Sequence, residues 1–143
     1  NNTQDADNDV SGGDSTARYI TRRVTLKDGF DATDLEVFIS ANRPANSRIF
    51  VYYKILSQFD TTLFDDRPWT EMKELSNPSS VSASDDESEY LELEFTPIGA
   101  NTNYVSDTVT YDSFKTFAVK IVMISSNTTK VPLIKDLRAI ALA

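Results

Sequence analysis

Phe117-Ala118-Val119-Lys120-Ile121-Val122-Met123-Ile124 is the stretch that decides the fold. Phe117, Val119, Ile121 and Met123 fall on one side of a two-residue repeat. Ala118, Lys120 and Val122 fall on the other. That spacing predicts a strand buried on one face and partly buried on its reverse. Outward from it, Leu35, Val37, Ile39 and Ala41 alternate with Asp34, Glu36, Phe38 and Ser40. Leu91, Leu93 and Phe95 alternate with Tyr90, Glu92 and Glu94. Residues 48–57 are apolar on both sides, with Ile49, Val51, Tyr53 and Ile55 facing one way and Phe50, Tyr52 and Leu56 the other, which predicts a central strand. Residues 17–26 carry Arg18, Arg22 and Arg23 across a weaker alternation and read as an edge strand, where charge discourages pairing with another chain. A short strand near 105–110 and a last strand over 134–142 complete the set. Residues 69–75 are ambiguous, because Trp69, Met72 and Leu75 are spaced for a helical turn too short to stand alone. The expectation is an all-β domain: an antiparallel β-sandwich, jelly-roll-like, of about seven to eight strands. Its expected core is Leu35, Val37, Ile39, Val51, Tyr53, Ile55, Leu91, Leu93, Phe95, Phe117, Val119, Ile121 and Met123.

The 143 residues fit one domain large enough to bury a core without staples. Residues 1–16 hold one apolar side chain larger than alanine, Val10, and read as a flexible acidic linker or arm ending at Gly12-Gly13. The sandwich is assigned to 17–143. The chain starts Asn1-Asn2-Thr3-Gln4 without an initial methionine, a signal sequence or an apolar run long enough to span a bilayer, and it reads as a piece of a longer protein. A net charge of −8 argues against nucleic-acid binding, which needs a basic face.

The chemistry-bearing residues are few. With no cysteine and no histidine, thiolate metal sites, disulfides and the commonest general base are all excluded. A serine or threonine nucleophile would need a lysine base such as Lys54 or Lys120, and nothing singles one out. Glu92 and Glu94 share one outward strand face, so they repel each other in solvent rather than flank a glycosidic bond. Catalysis is therefore not expected. Asp5, Asp7 and Asp9 have the alternating spacing of a calcium loop, but Val10 and Thr16 stand where such a loop wants glycine and glutamate. Asp65-Asp66 and Asp85-Asp86-Glu87 could bind calcium together with backbone carbonyls, yet acidic β-loops are mostly just solvated. No cofactor is expected, calcium in a loop being the one option left open. Asn127-Thr128-Thr129 matches a glycosylation triplet that means little without secretion. Tyr52, Phe38, Tyr90, Tyr111 and Trp69 are the aromatics expected at the surface. Long polar loops at 58–68, 77–88 and 97–113 are expected to carry recognition. The first joins Asp65 and Asp66 to Arg67 and Trp69, two residue types enriched at interface hot spots, and these four are the candidate binding residues. The competing reading has Trp69 plugging one end of the sandwich.

Residues 17–35 and 130–142, with Ile49-Phe50-Val51-Tyr52-Tyr53-Lys54 and Phe64-Asp65-Asp66-Arg67-Pro68-Trp69 between them, resemble in order a module of virion structural proteins from marine cyanophages and related contractile-tailed bacteriophages. The resemblance implies a β-rich module of a tail or baseplate protein, located in the phage tail, with other virion proteins as partners and oligomerisation in the intact particle. It supplies no functional residues. The alternative is a carbohydrate-binding sandwich that recognises a host-surface glycan.

Overall fold

The computed structural model describes residues 17–44, 47–76, 89–99, 101–125 and 132–143. Among them are ten strands and no α-helix. Among the described residues, no helix is long and apolar enough to cross a membrane. The chain is all-β and antiparallel. One path of hydrogen-bonded strands runs β1 (Ala17–Ile20), β9 (Thr116–Ser125), β4 (Ser47–Leu56), β5 (Thr70–Glu74), β6 (Leu91–Pro97), β3 (Asp34–Asn42) and β10 (Leu133–Leu142). The path curls so that its two halves face each other as a sandwich. β2 (Val24–Thr25) continues the β1 edge along β9, and β7 (Tyr104–Ser106) with β8 (Val109–Tyr111) forms a separate hairpin.

β4, β5 and β6 are consecutive neighbours, and β9 returns to lie beside β4, which is a Greek key. β3 lies beside β6 in the mirrored sense, giving two overlapping keys, a feature shared with jelly rolls. Hydrophobic patterning fixes the register. Ten successive pairs run from Ser47↔Ser125 to Leu56↔Thr116, so Ile49, Val51, Tyr53 and Ile55 share a face with Met123, Ile121, Val119 and Phe117. A slip of one residue would turn that whole face outward. These side chains meet Leu35, Val37, Ile39, Ala41, Leu93 and Phe95 from the opposite half in one core, joined by Met72 and Phe114.

Several expectations are corrected. Leu91 is only partly buried, at the margin of the core. The edge strand predicted over 17–26 is broken in two, because the Thr21 hydroxyl accepts the Val119 N–H at 2.9 Å and takes the ladder position of a backbone carbonyl. Residues 70–74 form a strand. Their apparent helical spacing sorts three side chains into three surroundings: Trp69 in a cluster on the outer face, Met72 in the core, and Leu75 in solvent. Tyr52 and Trp69, expected at the surface, are buried. The 97–113 connection contains a hairpin whose turn residues Asp107 and Thr108 have φ of 51° and 66°. The expected arm 1–16, the loop 77–88 and the acidic groups within them lie outside the described residues.

Candidate functional site

The segment after β4, expected as a long polar loop that carries recognition, folds back over the sheet. Asp60 starts it with a side-chain turn, accepting the Thr62 N–H at 2.9 Å. One 3-10 turn at Phe64–Asp66 then sets Phe64 and Trp69 on the outer face of β4 and β9. There they pack with Tyr52, Ala118 and Val122 as a second apolar cluster. Two lysines are enclosed with it. The Lys54 ammonium lies 4.7 Å from the Trp69 ring centre and 5.4 Å from that of Phe64. The Lys120 ammonium lies 5.2 Å from Trp69 and 4.9 Å from Tyr52. Aromatic faces thus stand where water would otherwise solvate these cations. Burial lowers the Lys54 pKa, as do Arg67 and Arg23, while Asp65 and Asp66 oppose the shift.

Arg67 and Tyr104 tie the loop to the β7–β8 hairpin. The Arg67 guanidinium lies 3.9 Å from the Tyr104 ring centre, and its Nε donates to the Ile55 carbonyl at 3.1 Å. The Tyr104 hydroxyl donates to Asp60 Oδ2 at 2.9 Å and accepts the Ser57 N–H at 2.8 Å. Burial pushes the Tyr104 phenol up to about 12, with the Asp60 carboxylate adding to the rise against the Ser57 hydrogen bond and the Arg67 charge. Burial alone would raise Asp60, but hydrogen bonds from Thr62 and Tyr104, with the Arg67 charge, outweigh it and hold that carboxyl low.

The four candidate residues therefore separate. Trp69 and Arg67 are each 8% exposed and point to different partners, the lysine cluster and Tyr104. Their burial favours the packing role for the tryptophan. Asp65 and Asp66 remain exposed. Among the described residues, no group of three or more acidic side chains is placed to hold a metal ion. Sequence reasoning named Lys54 and Lys120 only as possible bases, without their aromatic enclosure, and did not single out Tyr104 or Asp60. For the lysines, the available signal was that β4 and β9 are apolar on both faces, so a charge within either strand had to be covered by something.

A second feature arises where β5 changes partner. It pairs with β4 only at Tyr52↔Glu71 and Tyr53↔Thr70, then leaves to pair with β6 from Met72↔Pro97 to Glu74↔Phe95. The splay between β4 and β5 opens a cleft of about 450 Å³ lined by Arg48, Phe50, Glu71, Met72, Glu74 and Ile98. Arg43 also lines it, making a two-pronged ion pair with Glu74 at 3.0 and 3.3 Å; the Ser76 hydroxyl donates to the same carboxylate at 2.7 Å. The Arg48 guanidinium lies 5.5 Å from the Phe50 ring centre at the rim. These groups offer apolar contact beside opposite charges, which suits holding a ligand.

No protein-family model, curated protein or solved structure matches this chain.

Proposed function

We propose that this chain is a structural domain of a tailed-phage virion protein that acts through protein–protein contacts in the tail, baseplate or fibre. The resemblance of residues 17–35 and 130–142 supports the phage assignment. The observation that carries the contact role is where the exposed apolar side chains lie. Tyr19, Ile20, Val24 and Phe30 belong to the first of those segments, and Leu133, Ile140 and Leu142 to the second; all are at least 39% exposed. The two resembling segments thus supply both edges of the sheet and much of its accessible apolar surface, the kind of surface that marks association. Cross-linking mass spectrometry on purified particles tests the reading. Links from Lys27 or Lys135 to another virion protein are expected, and absence of the polypeptide from particles would overturn it.

The cleft between β4 and β5 favours a second reading, a glycan-binding sandwich. Phe50 at its rim offers an aromatic surface for a sugar ring, and Glu71 and Arg48 offer hydrogen-bonding partners. Binding on a glycan array that is lost in Phe50→Ala would support it. An array without a reproducible hit removes it.

A further inference from the structure

The cleft between β4 and β5 has unpaired main chain in its walls. Along a strand, the N–H and C=O of successive residues point to alternate sides. The Leu56 carbonyl accepts the Lys115 N–H at 2.9 Å on the β9 side, and the Ile55 carbonyl accepts Arg67 Nε at 3.1 Å on the other. Odd-numbered residues of β4 therefore aim their main-chain groups toward β5. β5 meets Tyr53 and Tyr52 through Thr70 and Glu71 and pairs no further along β4. Ile49 lines the cleft beyond that point, and among the described residues no group takes up its N–H and C=O. Yet Ile49 is only 4% exposed. Main-chain groups so enclosed call for a partner that donates and accepts at once. The Glu74 main chain faces the cleft from the β5 side by the same alternation, since the next N–H, that of Leu75, goes to the Glu94 carbonyl of β6 at 2.8 Å.

We propose that an acidic, extended peptide segment of a partner protein docks in this cleft, adding a strand against Ile49 at the open half of β4. The inference rests on the contact role, but on neither the phage assignment nor the sheet edges. An extended peptide carries an N–H and a C=O at the spacing that a strand edge presents, which is how peptides add to sheets. Its side chains alternate between two faces. Those turned inward meet Ile49, Met72 and Phe95, with Ile98 beside them, so apolar residues fit there. Those turned outward meet Arg48, Phe50, Glu71 and Lys73, because the Tyr52↔Glu71 pair sets these side chains on one face. Charge selects the outward residues. The charged groups lining the cleft are Arg43, Arg48, Lys73, Glu71 and Glu74, and of these Arg43 and Glu74 neutralise each other. Glu71 sits at the closed end, where β5 still pairs with β4. Arg48 and Lys73 are exposed and lie toward the open end. The cleft is thus net positive in a chain of net charge −8, and its open end suits carboxylates.

Amide exchange read by NMR on the full chain tests this. In the free protein the Ile49 amide is expected to exchange at least about tenfold faster than that of Phe50, which the Phe50↔Val122 pair holds against β9. The probe is a panel of capped octapeptides that alternate Val, Ile or Phe with Glu. Binding should slow the Ile49 amide by about tenfold or more and leave Phe50 unchanged. N-methylation at the apolar positions, whose amides would face β4, should weaken binding at least about tenfold, as should Lys in place of Glu. Arg48→Glu should reduce affinity for the Glu peptides and raise it for the Lys ones. An Ile49 amide as protected as Phe50 in the free protein would overturn the proposal, and so would a panel without a binder at about 1 mM. Binding indifferent to N-methylation would refute the strand pairing. A neutral oligosaccharide that slows Ile49 where the peptides do not would give the cleft to a glycan and overturn the peptide. Slowing on concentration of the protein alone would put a second copy there, with the same consequence. Cross-links from Lys27 or Lys135 in particles report on the sheet edges, so the contact role stands or falls separately.

Discussion

Tyr104 holds a carboxylate, a backbone amide and a guanidinium at once, so its titration reports on the whole brace. The unfolded phenol titrates near 10.0 and the folded one at about 12. Between those values the unfolded state releases its proton first. Stability is therefore complete below the lower value and falls as pH rises toward the upper one. The urea midpoint is expected to be lower at pH 11 than at pH 9 by an amount that shrinks in Tyr104→Phe; equal drops in both proteins would refute the coupling. Some fall remains in the variant, because burial also raises Tyr53. The same substitution leaves the Ser57 amide without its hydroxyl partner and costs about 1–3 kcal/mol. Trp69→Ala is expected to cost about 3–5 kcal/mol in equilibrium unfolding, because it removes the ring that covers Tyr52, Lys54 and Lys120. A loss below about 1 kcal/mol would return Trp69 to the role of an exposed anchor.

At the scale of the strand, β4 and β9 are covered on both faces and joined by ten register pairs, whereas β1 and β10 each have one described neighbour within the sheet. Amides at the centres of β4 and β9 are expected to exchange slowest, and uniform rates across all strands would contradict this arrangement. The β7–β8 turn gives a second test. Thr108 occupies a left-handed conformation that a β-branched residue adopts at a cost, and Thr108→Gly is expected to stabilise the domain by about 0.5–1 kcal/mol. An unchanged melting midpoint would argue against strain there. These elements also show what the sequence could reveal. The long strands were legible because alternation in Leu35–Ala41 or Phe117–Met123 is the direct imprint of a two-sided element on a core. The β7–β8 hairpin was harder to read because Asp-Thr is not a usual pair for a turn with two positive φ values. The packing of the loop after β4 was hard to read because Asp60 and Arg67 are charged, and charge suggests solvent until their buried partners are seen. Pairwise contacts such as Arg67 on Tyr104 join residues far apart in the chain, and no local pattern encodes them.

For the molecule as a whole, the fold rests on a continuous apolar core and is expected to need no metal. The melting midpoint should be the same with and without chelator; a fall of several degrees would reveal an ion held by the acidic segments. Every neighbouring pair along the seven-strand path is antiparallel, so the two edge strands β1 and β10 run the same way, and this bears on how the domain carries load. Tension applied at Ala17 and at Leu142 pulls β1 and β10 in opposite senses along a shared axis. Each ladder is then sheared lengthwise, so its hydrogen bonds resist together instead of opening one by one like a zip. The two sides are unequal: β1 and β2 grip β9 through four and two register pairs, while β10 grips β3 through nine. Under a steady pull the domain should yield first by the sliding of β1 along β9, with the rest of the sandwich still intact behind it.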